Sequence, residues 1–78
     1  MRIIIDLDGT ICTEEKTFSR PLAKVNKGAV KALKKLKREK HTIIIYTART
    51  WNEYEMTHQW LTKHNIPFDK LYMGKPIG

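Results

Sequence analysis

Asp6 and Asp8 are two carboxylates one residue apart, and Gly9 and Thr10 follow at once. Carboxylates held this close suit a hard divalent cation such as Mg²⁺, which takes oxygen ligands and keeps several of its waters. Asp6 can then attack phosphorus as a nucleophile, and Asp8 can carry a proton. The competing reading of an Asp at a strand end is a turn former or a helix N-cap. The residues before the pair weigh against it. Ile3, Ile4 and Ile5 are apolar on both faces and β-branched, which reads as a buried parallel strand. Asp6 then falls at the strand's carboxyl end, where open α/β sheets place their ligands. Gly9 permits the positive φ that a turn there requires.

The elements that must position these carboxylates follow in order. Residues Ile11 to Lys24 have no clean period and read as a loop, with a short extended flap around Thr17 to Arg20. Val25 to Lys40 is helical in period: Val25, Ala29, Leu33 and Leu36 share one face, and Asn26 serves as N-cap. Thr42 to Thr47 is a second apolar strand. Thr50 and Glu53 have capping-box spacing, so the next helix starts near Trp51 and runs to His64. Its inner stripe is Tyr54, Thr57, Leu61 and His64, with Trp60 on the flank. Asn65, Ile66 and Pro67 end it, and Lys70 to Met73 is a short third strand. The order β-α-β-α-β predicts an α/β fold with a short parallel three-stranded sheet and right-handed crossovers.

The run Ile3 to Thr10, a hydrophobic strand plus Asp-x-Asp-Gly-Thr, resembles the first motif of the haloacid dehalogenase-like (HAD) phosphohydrolases. Tyr-Thr-Ala-Arg at 46–49 resembles the second, and Gly-Lys-Pro at 74–76 the third. In length and motif wording the likeness is to small capless members of the capsule-biosynthesis or phage-borne type. It implies a HAD-like Rossmannoid half with consecutive strands and both helices on one face of the sheet. It also implies that Asp6 forms an aspartyl-phosphate while Asp8 acts as acid and then base. The Asp6 carboxylate and the Asp8 carbonyl would hold Mg²⁺. Gly9, Thr47, Ala48, Arg49 and Lys75 would bind the phosphoryl group, Lys75 also offsetting negative charge during attack. A dozen loop residues cannot make a cap domain with its own core, so the site should be open. The family's fourth motif, acidic residues after a further strand, has no counterpart after Lys75, and Asp69 precedes the third strand. Residues 1–78 read as one domain, truncated or minimal.

Seventy-eight residues allow one domain with a marginal core. The lone Cys12 cannot form an internal disulfide, which fits a reducing cytosol. No apolar run approaches the length of a membrane span, so the expectation is a soluble cytoplasmic protein without a membrane partner. The net charge of +7 attracts phosphorylated or polyanionic partners. Lys27, Lys31, Lys34, Lys35 and Arg38 form a basic helix face, read as solvated, because no aromatic residues interleave with them. Nucleic acid is therefore a possible but not a favoured partner. His41, His58 and His64 form no site. Trp51 stands close enough in sequence to Arg49 to border a ligand.

The expected function is Mg²⁺-dependent hydrolysis of a phosphorylated small molecule or a phosphorylated polymer end. The alternatives are a weak or inactive phosphate-binding or assembly module and a polyanion-binding protein. With both helices on one face, the other face and the first strand's edge are bare, which predicts a homo-oligomer.

Overall fold

The computed structural model describes residues 1–76. Strand β1 spans Arg2–Ile5, helix α1 Ala29–Arg38, strand β2 Thr42–Tyr46, helix α2 Tyr54–Lys63 and strand β3 Lys70–Tyr72. The sheet is parallel throughout, in the order β1-β2-β3. The expected α/β architecture is the one observed.

Register explains which face is covered. Ile3 pairs with Ile43 and Ile5 with Ile45, and Ile45 pairs in turn with Leu71. Ile43, Ile45 and Leu71 are buried, with Ile5 packed against them. Leu33 of α1 and Trp60 and Leu61 of α2 belong to the same core, so both helices cover this one face. Residues of the other parity face away from the helices. Ile4 is 66% exposed and Tyr72 45%, while their neighbours Ile44 and Tyr46 are half-buried. A parallel sheet is normally covered on both faces; among the described residues the two helices cover one.

Three local expectations give way to tertiary contacts. Helix α1 begins at Ala29 after Gly28, whose φ is +83°, and not at Val25. Val25 forms an antiparallel bridge to Cys12, and the Asn26 side chain donates to the carbonyls of Thr10 (2.9 Å) and Cys12 (3.2 Å). These two residues are held to the Asp8 loop, so Asn26 is no N-cap. The flap is also not extended: Thr17–Leu22 forms 3₁₀ turns, and Pro21 has the fixed φ that such a turn accepts. Tyr54 is not an inner residue of α2. It lies 37% exposed, stacked on Trp51 with ring centroids 5.8 Å apart. The capping box does form: the Thr50 N–H donates to Glu53 Oε2 at 3.1 Å. One 3₁₀ turn, Trp51–Glu53, precedes α2.

Two contacts fasten residues 17–23 to α2 and to the 3₁₀ turn before it. Trp60 Nε1 donates to the Ala23 carbonyl at 3.1 Å. Arg20 Nη1 donates to Glu53 Oε1 at 2.6 Å. Burial raises the Glu53 carboxyl, but hydrogen bonds from Arg20 and the Thr50 backbone outweigh it and hold the group below its ordinary range.

Candidate active site

The chain leaves β1 and turns sharply. The Leu7 carbonyl accepts the N–H groups of Thr10 (3.2 Å), Ile11 (2.9 Å) and Cys12 (3.2 Å). Gly9, at φ +82°, donates its N–H to the Cys12 carbonyl at 2.9 Å. A side chain there would be strained in that backbone region. The turn leaves Leu7 fully buried between an exposed Asp6 and a half-buried Asp8. Asp6 Oδ1 accepts the Leu7 N–H at 2.9 Å, which fixes the carboxylate at the strand end.

Asp8 meets the loop that follows β2. Arg49 Nη2 donates to Asp8 Oδ1 at 2.6 Å and Nε to Asp8 Oδ2 at 3.0 Å. The guanidinium fork thus grips both carboxylate oxygens, a geometry Lys cannot reproduce. Its remaining nitrogen, Nη1, donates to Thr57 Oγ1 of α2 at 3.1 Å. The Thr47 hydroxyl donates to Asp8 Oδ2 at 3.5 Å and accepts the Arg49 N–H at 3.2 Å. Arg49 is 2% exposed and Thr47 1%. Asp8, Thr47 and Arg49 are therefore brought together, but Arg49 turns its fork to Asp8 and Thr57 and not outward to a phosphate. Burying a guanidinium demands such pairing.

Cys12 sits beneath this pair, its sulfur 3.8 Å from Asp8 Oδ1 and 3.9 Å from Arg49 Nη2. Burial pushes the thiol up to about 11, and the charge of Asp8 adds to the effect against that of Arg49. Such a thiol is a packing group and not a nucleophile at neutral pH.

The third loop closes the site from β3. Gly74 donates its N–H to the Arg49 carbonyl at 2.7 Å, and Lys75 its N–H to the Thr47 carbonyl at 2.9 Å. Gly74 has φ +73°, and a Cβ there would stand 3.2 Å from Trp51 Nε1. The Lys75 ammonium lies over the Tyr46 ring, 5.8 Å from its centroid. Tyr46 and Asp6 each stand one residue beyond the Ile5–Ile45 pair. Lys75 thus belongs to the same carboxyl-end rim as Asp6, and Ala48 is exposed on that rim.

The donor chemistry suits a hard cation in part. Among the described residues no group of three or more His, Cys, Asp and Glu side chains stands ready to hold a metal. Both side-chain oxygens of Asp8 take Arg49 N–H groups, so the Asp6 carboxylate and the Asp8 carbonyl are the oxygens suited to Mg²⁺. Asp69 lies away from this rim, beside the start of β2. It accepts from Lys37 Nζ at 2.8 Å and from the Ile43 N–H at 2.7 Å, and these two bonds hold its carboxyl below the ordinary range. Sequence reasoning missed Thr57 and Asn26 as parts of the site's frame. A polar residue on the buried stripe of α2 was the available sign of the first.

Comparison with known proteins agrees with this geometry. No curated protein matches the chain. The crystal structure of an MCSG target from Vibrio cholerae superposes with a TM-score of 0.83 at 26% identity, covering 97% of this chain and 71% of that one. A chain of the Pnkp1/Rnl/Hen1 complex gives 0.83 at 26% identity over 92% of this chain. A chain of the Pnkp1/Rnl/Hen1 RNA repair complex gives 0.80, also at 26% identity over 92%. This chain spans 26% and 25% of those two longer chains. The family model for the LNS2 domain of PITM 1-3 matches residues 3–77. On that match the chain belongs to the LNS2 domain family, which lies within the HAD-like phosphatase superfamily.

Proposed function

We propose that this chain is a Mg²⁺-dependent phosphomonoester hydrolase of the small capless HAD type, akin to capsule-biosynthesis or phage-borne members, acting in the cytoplasm as one domain. Asp6 Oδ attacks phosphorus, the P–O bond to the substrate alcohol breaks, and an aspartyl-phosphate forms. Asp8, holding a proton on the lone pair of one oxygen that Arg49 does not engage, gives it to the leaving alkoxide. It then takes a proton from the water that attacks phosphorus, releasing inorganic phosphate and restoring Asp6. Arg49 acts through Asp8, fixing both of its oxygens. The Lys75 ammonium, the Ala48 N–H and the Gly9 turn face the phosphoryl group, with Thr47 beneath. When bound, Mg²⁺ would supply positive charge against the phosphoryl oxygens.

One observation carries this reading. The Asp8–Arg49 pair locks the Asp-x-Asp-Gly-Thr loop to the Thr-Ala-Arg loop, beside an exposed Asp6 at the carboxyl ends of parallel strands. The substrate is a phosphorylated small molecule or a phosphorylated polymer end. The likeness to chains of an RNA repair complex supports keeping the second in view. The test is hydrolysis of an aryl phosphate with Mg²⁺, inhibited by vanadate and lost in Asp6→Asn. Activity retained in Asp6→Asn would overturn it.

A second reading is a phosphate-binding or assembly module without turnover. The observation favouring it is that, among the described residues, no three His, Cys, Asp or Glu side chains are placed to hold a metal, and both Asp8 oxygens are engaged by Arg49. Metal-independent phosphate binding with no hydrolysis would select it.

A further inference from the structure

We infer that Trp51, with Tyr54 behind it, is a stacking platform for a nucleobase, so that the phosphomonoester this site takes is a nucleotide. The inference rests on the proposed phosphate site and adds the chemistry of the group attached to the phosphate.

Trp51 is the second residue after Arg49, and it leans on the loop that carries Lys75. Its indole stands so close to Gly74 that a Cβ there would meet Nε1 at 3.2 Å. The Gly74 N–H is bonded to the Arg49 carbonyl, and Lys75 comes next. The indole is thereby fixed to the rim that holds Asp6, Ala48 and Lys75. It is nevertheless 57% exposed, a large apolar ring left in water.

Its neighbours extend the surface. The Tyr54 ring lies 5.8 Å away at 21° to the indole, a stacked pair. His58 follows at 5.9 Å from Tyr54, and Phe68 at 5.5 Å from His58. The stacked pair is Trp51–Tyr54; His58 is tilted 33° from Tyr54, and Phe68, beyond α2, meets His58 edge-on at 81°. Two aromatic rings held within 21° of parallel before a ligand arrives incur little entropy loss on stacking a third. A base is flat, aromatic and joined through its sugar to a phosphate. Base–aromatic stacking is sequence-tolerant and worth about 10- to 100-fold in affinity. An aliphatic sugar phosphate offers the rim its phosphate and leaves the exposed indole unused.

Calorimetric titration in Mg²⁺ separates the possibilities. The ligands are adenosine 5′-monophosphate, ribose 5-phosphate and a 5′-phosphorylated trinucleotide. The proteins are the wild type, Trp51→Ala and Trp51→Phe, with hydrolysis of each ligand followed in parallel. The expected result is that the mononucleotide binds about tenfold or more tightly than ribose 5-phosphate. That ratio should fall to near one in Trp51→Ala and largely return in Trp51→Phe. Tighter binding of the trinucleotide than of the mononucleotide would assign the site to polynucleotide ends, and equal binding to free nucleotides. A wild-type ratio near one, including no detectable binding of either, overturns the inference. So does a ratio that survives in Trp51→Ala. A preserved ratio without hydrolysis overturns the phosphatase reading alone, and hydrolysis without a ratio overturns the nucleotide alone.

Discussion

Arg49 and Asp8, 41 residues apart in sequence, form a two-pronged ion pair at 2.6 and 3.0 Å. The Arg49 side chain is 1% exposed and that of Asp8 18%. A pair this enclosed is costly to break from one side, because the surviving charge stays buried without a partner. Arg49→Met should therefore destabilise the fold by about 3–5 kcal/mol, a large part of the stability of a domain this small. Arg49→Lys keeps the charge but loses the fork, and should fall between the two. Urea denaturation of the three proteins checks the order. If Arg49→Met unfolds at the wild-type midpoint, the pair contributes nothing.

Asp69 gives the fold a dependence on acid. Its carboxyl is held low by the Lys37 ammonium and the Ile43 N–H, so its folded value lies below the unfolded one. Such a group stabilises the fold above its unfolded value, near pH 4, and that contribution disappears as pH falls through the folded value. Asp69→Asn should lower the melting temperature at pH 7 and narrow the gap between pH 7 and pH 3. Its contribution is modest, since the Asp69 side chain is 35% exposed and solvent screens the pair. Equal losses on acidification in Asp69→Asn and wild type would exclude Asp69 as a source of this dependence.

The strands and the three loop motifs were legible because each is local. An apolar run ending in Asp-x-Asp-Gly-Thr declares both a strand and its carboxyl end. The start of α1 was not legible, because Val25 and Asn26 satisfy helical periodicity while their partners, Cys12 and Thr10, lie more than a dozen residues back. Periodicity reports which residues share a face and says nothing of a competing tertiary bond. The role of Arg49 was hidden for the same reason: a guanidinium beside a phosphate motif suggests a phosphate ligand, and only the fold shows that Asp8 and Thr57 take its donors. Tyr54 misled in the opposite sense. Its place on the inner stripe of α2 is right by spacing, but stacking on Trp51 draws it to the surface.

The bare sheet face leads to a prediction about assembly. Ile4, Ile44 and Tyr72 stand on it, and β1 is an edge strand with its hydrogen-bonding groups on offer. A homodimer or higher oligomer of the 78-residue polypeptide is expected to cover this face or this edge. Sedimentation at tens of micromolar, an order-of-magnitude choice for interfaces of standard size, should show it. Ile4→Lys places a charge on the exposed residue of the edge strand and should shift the population to monomer. A well-folded wild-type monomer at that concentration would remove the prediction.

Turnover by the 78-residue polypeptide is the last quantity to predict. The proposed Mg²⁺ ligands are the Asp6 carboxylate and the Asp8 carbonyl, and this cation tolerates poor geometry badly. A missing electrostatic group at such a site commonly costs ~10²–10³ in rate. Asp6, proposed as nucleophile, nevertheless shares this rim with the Thr47–Arg49 loop and Lys75. Phosphate or tungstate should bind near Asp6, Thr47 and Lys75, while hydrolysis of a generic aryl phosphate stays well below ordinary enzyme rates. Glu14, whose Oε2 lies 4.0 Å from where a Gly9 Cβ would stand, is a further carboxylate beside this loop, whereas Glu53 is already taken by Arg20. Steady-state assay with saturating Mg²⁺, alongside Asp6→Asn, checks the rate. Turnover of about 1 s⁻¹ or more, lost in Asp6→Asn, would show that the carboxylates of this rim, or the assembly they sit in, suffice for catalysis.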